Sequence, residues 1–245
     1  TNPAVSGNDK SKYFMMVNRR CVPDVNDDGD LRQLKIKFDS TQLSDFRNWK
    51  IIELDSNKVI STFDKNSGNY VDMGIFQPGE GRLYKLAPVM QEGGTLIADE
   101  SINGVTFNCY GDVDNNEKNI SIYVGTNINF ANDVKWNVEG GDFNCGLYPE
   151  SPNELKVNMK SQSGAFWSGI NFIGCGEINI RNTIIENVKQ SGTEIENPSA
   201  LTFVDCHDLN IYNCKFNFSN LDSISCININ YIESPGETEI VSNIL

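Results

Sequence analysis

The sequence predicts an all-β chain, a small antiparallel β-sandwich followed by a solenoid of stacked strands. Two stretches repeat each other: residues 170–187 read INFIGCGEINIRNTIIEN and residues 201–218 read LTFVDCHDLNIYNCKFNF, at an offset of 31. Five positions are identical: Phe172/Phe203, Cys175/Cys206, Asn179/Asn210, Ile180/Ile211 and Asn182/Asn213. A repeat of roughly 20–50 residues marks an array whose units bury their apolar faces only against one another. Apolar residues alternate at i, i+2 in these units, which is the period of strands. Charge supplies the other observation. Residues 1–95 hold 13 acidic and 13 basic side chains, whereas residues 96–245 hold 20 and 7, which accounts for the net charge of −13.

The charge break places a boundary near Met90–Thr95. We expect an arm over residues 1–12, a sandwich over 13–92 and a stack over 93–245. At 39% hydrophobic residues the 245-residue chain has a folding composition. No apolar run approaches the length of a membrane span. The acidic second part argues against a nucleic-acid partner, which requires clustered Lys and Arg. It suits cations, neutral polymers read by hydrogen bonds and stacking, or solubility alone. The chain begins at Thr1, which reads as a mature or excised segment.

In the first part, β-type segments run over Tyr13–Val17, Leu34–Phe38, Trp49–Leu54, Lys58–Phe63, Tyr70–Phe76 and Arg82–Leu86. Asp28-Gly29, Asp55-Ser56-Asn57, Asn66-Ser67-Gly68 and Pro78-Gly79 separate them as turns. Six short strands in this length suggest an antiparallel sandwich. Asp24, Asn26, Asp28 and Asp30 have the oxygen-ligand spacing that opens a calcium loop, with Gly29 at the turn. The loop's twelfth position is Lys35 where a bidentate Glu belongs, so an acidic Asx-rich turn competes with calcium. No other cofactor is expected. YFMMVNRRC (13–21) and FQPGEGRLYKLAPV (76–89) resemble the first and last strands of the β-sandwich module that follows the catalytic domain in secreted glycoside hydrolases. The resemblance covers about 80 residues. It implies a module without chemistry of its own, and a secreted or cell-surface location.

In the second part, 24 of residues 96–245 are Asn and 19 are Ile. Asn tolerates left-handed backbone at tight turns, and its amides can stack in ladders with copies of themselves. Alternating Ile, Val and Phe would fill the interior, as in Ile120-Ile122-Val124, Val134-Trp136-Val138, Leu209-Ile211 and Ile227-Ile229. A looser copy of the repeat, INFANDVKWNVEGGDF, covers 128–143. Parallel stacking explains why equivalent residues recur in one order. This part resembles the right-handed parallel β-helix of the pectate lyase-like superfamily over about 150 residues, or roughly five coils. The resemblance specifies architecture and not activity. Polar inserts at 148–167 and 189–199 are expected to project from the stack. Six of the seven cysteines lie here without CxxC spacing, which argues against zinc. Cys175 and Cys206 occupy equivalent positions. They read as stacked buried thiols, with a disulfide as the alternative.

Catalytic signals are thin. The single histidine, His207, stands between Asp205 and Asp208, a weak acid/base candidate against a solvated turn. Lyases of the fold that this part resembles need a Lys or Arg base beside calcium-binding carboxylates; Arg181 is the one arginine here and aligns with Tyr212. Asp112, Asp114, Asn116 and Glu117 alternate oxygen ligands but lack a calcium-loop glycine, and read as a polar turn. For glycans, which stack on exposed rings, the candidates are Tyr148, Phe166, Trp167 and Tyr212, with Trp136 assigned to the core. Three readings remain. The first is a noncatalytic module pair of a carbohydrate-associated protein that binds or presents polysaccharide. The second is a structural or adhesive fibre subunit, and the third a β-helix polysaccharide lyase or hydrolase. Residues 233–245 offer no obvious cap, so the stack is expected to be incomplete there, and end-to-end self-association is expected.

Overall fold

The computed structural model describes residues 8–19, 31–43, 45–147, 155–162, 165–189, 199–217, 225–229 and 238–241. The chain is all-β, with antiparallel and parallel sheets in separate units. One unit is Lys10–Pro88. The other comprises Thr1–Asp9 with Val89–Leu245.

In the first unit, β1 (Lys12–Val17), β2 (Arg32–Ile36), β3 (Asn48–Glu53), β4 (Lys58–Asp64), β5 (Val71–Phe76) and β6 (Gly81–Pro88) all pair antiparallel. The order β1-β6-β3-β4 makes one sheet and β2-β5 another. All six segments read from the alternation pattern are strands, with ends shifted by one or two residues. Trp49, Ile51, Tyr84 and Leu86 alternate inward on β3 and β6 and are buried. The Phe14 ring stacks on Tyr84 at 5.2 Å, and Phe38, beyond β2, meets Phe14 at 5.7 Å and Phe63 at 5.1 Å. Each such ring taken out of water stabilises the fold by roughly 1.5–3 kcal/mol. The Pro78-Gly79 turn is held by the Glu80 carboxylate, which accepts from the Gln77 N–H (2.6 Å) and from Arg82 Nε (2.6 Å). The Arg82 guanidinium lies 4.3 Å from the Phe76 ring centre. The calcium candidates Asp24, Asn26, Asp28 and Asp30 fall outside the described residues.

The second unit repeats a three-strand rung. Its strands are β7 (Gly94–Thr95), β8 (Glu100–Ile102) and β9 (Thr106–Cys109); β10 (Val113–Asp114), β11 (Ile120–Tyr123) and β12 (Asn127–Phe130); β13 (Trp136–Glu139), β14 (Phe143–Leu147) and β15 (Val157–Ser161); β16 (Ile170–Ile173), β17 (Glu177–Arg181) and β18 (Thr183–Glu186); β19 (Ser199–Val204), β20 (Asp208–Tyr212) and β21 (Lys215–Asn217); then β22 (Ser225–Ile229) and β23 (Thr238–Val241). Every third strand pairs in parallel, giving three sheets: β7-β10-β13-β16-β19-β22, β8-β11-β14-β17-β20-β23 and β9-β12-β15-β18-β21. This stacking fits a β-helix. A short helix, α1 (Val89–Glu92), buries Val89 and Met90 ahead of the first rung, and its Gln91 Nε2 donates to Asp9 at 2.7 Å.

Inward columns are apolar because parallel register sets like on like. Phe172 pairs with Phe203 and Ile180 with Ile211, so the offset-31 alignment is also the strand register. The Phe172 and Phe203 rings stack at 4.8 Å. Asn182 and Asn213 take left-handed turns (φ 47° and 53°), and Asn213 Nδ2 donates to Asn182 Oδ1 at 2.7 Å, the expected amide ladder.

Three expectations need correction. The looser copy at 128–143 is one sheet out of phase: Ile128–Phe130 pairs with Met159–Ser161 in the third sheet, whereas Ile170–Phe172 stacks on Trp136–Val138 in the first. In–out alternation is the same in all three sheets and does not say which one a strand joins. The insert expected over 148–167 also contains β15, whose Val157 and Met159 are buried. Its two short apolar positions among polar neighbours gave too weak a pattern to read as a strand.

The stretch with alternating oxygen ligands, expected as one polar turn, is partly strand: Val113–Asp114 form β10, and only Asn116 and Glu117 turn, with left-handed backbone (φ 48° and 63°). Asp112 Oδ1 accepts the Lys135 N–H (2.8 Å) and Asp114 Oδ1 accepts Asn137 Nδ2 (2.8 Å).

Candidate functional site

The outer face of the second parallel sheet gathers most of the polar side chains singled out above. Strand alternation sends Ile178 and Ile180 of β17, and Leu209 and Ile211 of β20, into the core. The same alternation turns Glu177, Asn179 and Arg181 outward, in register with Asp208, Asn210 and Tyr212. Asn179 Nδ2 donates to Asn144 Oδ1 of the rung before (2.8 Å) and to Glu177 Oε1 (2.7 Å), while its Oδ1 accepts from Arg181 Nη2 (3.2 Å). The amide ladder therefore holds the Arg181 guanidinium at Asn179, and strand register pairs Arg181 with Tyr212. The Tyr212 ring is 49% exposed, and its carbonyl accepts the Asn182 N–H at 3.1 Å. The result is a strip whose central amide, Asn179, is buried beneath its partners, with Glu177, Asp208, Arg181 and the Tyr212 side chain exposed around it.

The weak catalytic candidates border this strip. His207 Nδ1 lies 3.9 Å from Asp208 Oδ1, and both side chains are about half exposed (46% and 52%). Their amides donate to the rung beneath, His207 N–H to the Cys175 carbonyl and Asp208 N–H to the Gly176 carbonyl, each at 2.9 Å. Asp205 opens the same turn with left-handed backbone, φ 52°. At 3.9 Å the two side chains lie beyond hydrogen-bond distance of each other.

The aromatic candidates separate. Trp167 is fully buried. Its ring stacks on Phe130 at 4.0 Å and its indole N–H donates to the Glu186 carbonyl at 2.9 Å, so it fills the core and has no face open to a sugar. Phe166 is half-buried, with Lys189 Nζ 5.8 Å from its ring centre, and it precedes a first-sheet strand whereas Tyr212 ends a second-sheet one. Trp136 is buried in the core as expected. Tyr148 falls outside the described residues. Sequence reasoning aligned Arg181 with Tyr212 without joining them into a site. The signal was available in strand alternation, which puts Asn144, Glu177, Asn179, Arg181, Asn210 and Tyr212 on one face.

Among the described residues, no group of three or more His, Cys, Asp or Glu side chains is placed to hold a metal ion. Nor, among the described residues, is any helix long and apolar enough to cross a membrane. In the antiparallel unit an open hollow of about 530 Å³ is lined by Lys37, Phe38, Asp39, Ser40, Lys65, Asn66 and Gly68. Two of its charged groups serve the chain itself: Lys65 Nζ donates to the Leu43 carbonyl, and the Asp39 carboxylate accepts from Thr41. Comparison with protein-family models, with curated proteins and with solved structures finds no match.

Proposed function

We propose that the stacked unit is a right-handed parallel β-helix solenoid, and that the chain is a noncatalytic module pair of a secreted or cell-surface carbohydrate-associated protein, binding or presenting polysaccharide. The observation that carries this reading is the exposed Tyr212 ring, paired in register with Arg181, whose guanidinium is held by the Asn144–Asn179 amide ladder. A sugar ring packs its C–H face on tyrosine while its hydroxyls bond to amides and a guanidinium. The carboxylates of Glu177 and Asp208 on the same strip favour a neutral glycan over a polyanion. Calcium at Asp24, Asn26, Asp28 and Asp30 stays with this proposal, to be checked by calorimetric titration. The test of the main reading is a glycan array probed with the wild-type chain and Tyr212→Ala. Binding of one neutral glycan class, weakened about tenfold by the substitution, is expected, the size of one lost stacking contact. Silence across the array, or equal binding by the variant, would sink it.

A second reading, a fibre subunit that assembles end to end, is supported by the last rung. Ile229 and Ile240 continue the inward columns of Phe203 and Ile211 yet remain 38% and 43% exposed. A sedimentation coefficient that rises with concentration would favour it.

A further inference from the structure

The six cysteines of the stacked unit are free thiols; Cys226 is half-buried, and the five buried ones fall into two kinds. Cys109, Cys145 and Cys214 are buried and bond to ordinary groups: Cys109 to the Gly111 carbonyl (3.4 Å) and the Trp136 indole N–H (3.5 Å), Cys145 to the Thr183 hydroxyl (3.3 Å), and Cys214 to the Ile180 (3.3 Å) and Tyr212 (3.5 Å) carbonyls. Burial pushes Cys109 and Cys145 up to about 12 and Cys214 up to about 11, which leaves them protonated and unreactive. Cys175 and Cys206 are different, because each has the other. They hold the same turn position on consecutive rungs, bracketed by the register pairs Ile173–Val204 and Glu177–Asp208. The His207 N–H to the Cys175 carbonyl closes the backbone between them. The Cys175 thiol donates to the Val138 carbonyl (3.1 Å) and the Cys206 thiol to the Val204 carbonyl (3.4 Å), and the two sulfurs neighbour each other across the rungs. Neighbouring strands in a sheet lie about 4.8 Å apart, within the roughly 4.4–6.8 Å between Cα atoms that a disulfide spans. The interaction with Cys206, together with burial, drives Cys175 well above the usual thiol range, while the same interaction holds Cys206 below it.

We propose that Cys175 and Cys206 form an oxidation site, a thiol pair that a small two-electron oxidant such as hydrogen peroxide converts into a disulfide clamping two consecutive rungs. The Cys206 sulfur attacks one peroxide oxygen and the O–O bond breaks. The departing hydroxide takes up the thiol proton as water, leaving a sulfenic acid on Cys206. The Cys175 sulfur then attacks the Cys206 sulfur, the S–S bond forms and the S–O bond breaks. The hydroxyl leaves as a second water with the Cys175 proton. Two thiols lose two electrons and one peroxide becomes two waters. Exposures of 2% for Cys175 and 0% for Cys206 select for an oxidant as small as peroxide. The clamp would close the loop between the two strands and so restrict the unfolded chain. It would also fix the turn that carries His207 and Asp208. The proposal is independent of the glycan reading.

The test treats the whole native chain with hydrogen peroxide at neutral pH, blocks remaining thiols with N-ethylmaleimide in denaturant, and maps the non-reduced peptides by mass spectrometry. A linked Cys175–Cys206 peptide pair, formed ahead of any link through Cys109, Cys145, Cys214 or Cys226 and reversed by dithiothreitol, is the expected result. Recovery of Cys175 and Cys206 as blocked thiols would overturn it, as would links spread over all cysteines as in a urea-unfolded control. Cys206→Ser should leave Cys175 unoxidised. The wild-type map decides the matter even if that variant does not fold.

Discussion

The antiparallel unit and the stacked unit hold their strands together by different means. In Lys10–Pro88, partners on adjacent strands are unlike, and charge is used freely. Arg47 grips Asp64 through Nε (3.0 Å) and Nη2 (2.8 Å), and Arg82 grips Glu80 at 2.6 Å. In the stacked unit each side chain sits over its own counterpart. Many columns are filled by like neutral groups: amide on amide (Asn127–Asn158, 2.8 Å; Asn144–Asn179, 2.8 Å), ring on ring and thiol on thiol, while the like-charged pair Glu177–Asp208 sits at the exposed starts of its strands. Parallel register trades chemical variety for repetition, and every rung then imposes the same close backbone approach.

That contrast can be broken at two glycines with the same backbone sign. Gly146 is the bulge residue of β14 (φ 83°), and a Cβ there would lie 1.7 Å from the Arg181 carbonyl oxygen. Gly74 in β5 has φ 85°, but its nearest neighbour would be an Arg82 side-chain nitrogen at 4.0 Å. We expect Gly146→Ala to cost about 4 kcal/mol or more and Gly74→Ala about 1 kcal/mol, by urea denaturation. Equal costs would mean that rung spacing is not the tighter constraint.

A smaller effect should distinguish buried from exposed ladders within the stack. Asn182 is 5% exposed, adopts φ 47° and accepts from Asn213, whereas Asn217 Nδ2 donates to Glu186 Oε1 at an exposed site. Asn182→Ala should cost about 2–3 kcal/mol, from an orphaned amide and a strained turn, and Asn217→Ala about 0.5 kcal/mol or less. Comparable midpoints for the two variants would remove the buried ladder as a source of stability.

The units should also fail at opposite ends of the pH scale, each followed by hydrogen exchange on its own peptides. The stacked unit's buried thiols are raised from 9.0 to about 12 (Cys109, Cys145) and about 11 (Cys214). A raised folded value adds stability below the unfolded value that is lost as pH climbs toward the folded one. By pH 11 the loss is on the order of 2 kcal/mol per thiol. In the antiparallel unit, burial pushes Asp64 up, but the Arg47 guanidinium and the Asn66 amide together hold it below 3.8. A lowered folded value adds stability above the unfolded value that is lost as pH falls through the folded one. This loss should be about 0.5 kcal/mol, since Arg47 is partly solvated. Protection lost first in Lys10–Pro88 at high pH would contradict the comparison.

Much of this was legible residue by residue. The six antiparallel strands followed from alternation and turn residues such as Asn57 and Gly68, both with positive φ. The register of Phe172 on Phe203 and of Asn179 on Asn210 followed from the repeat itself, because parallel stacking places equal residues in contact. The candidate site was less legible. Trp167 and Tyr212 are both aromatic residues in polar surroundings, yet the ring of one lies on Phe130 and that of the other faces water. Nothing within a few residues of either separates them.

The sequence by itself determined that the chain is all-β, that it changes character near residue 90 and that its second part repeats. Those properties are local, written in alternation, turn chemistry and composition. Only the tertiary structure decided which of three sheets each strand joins and that Val157–Ser161 belongs to the stack. A strand's two-residue period is the same on every sheet. Its neighbours across the stack are fixed by how many residues each turn consumes, a sum over the whole coil that no short window contains.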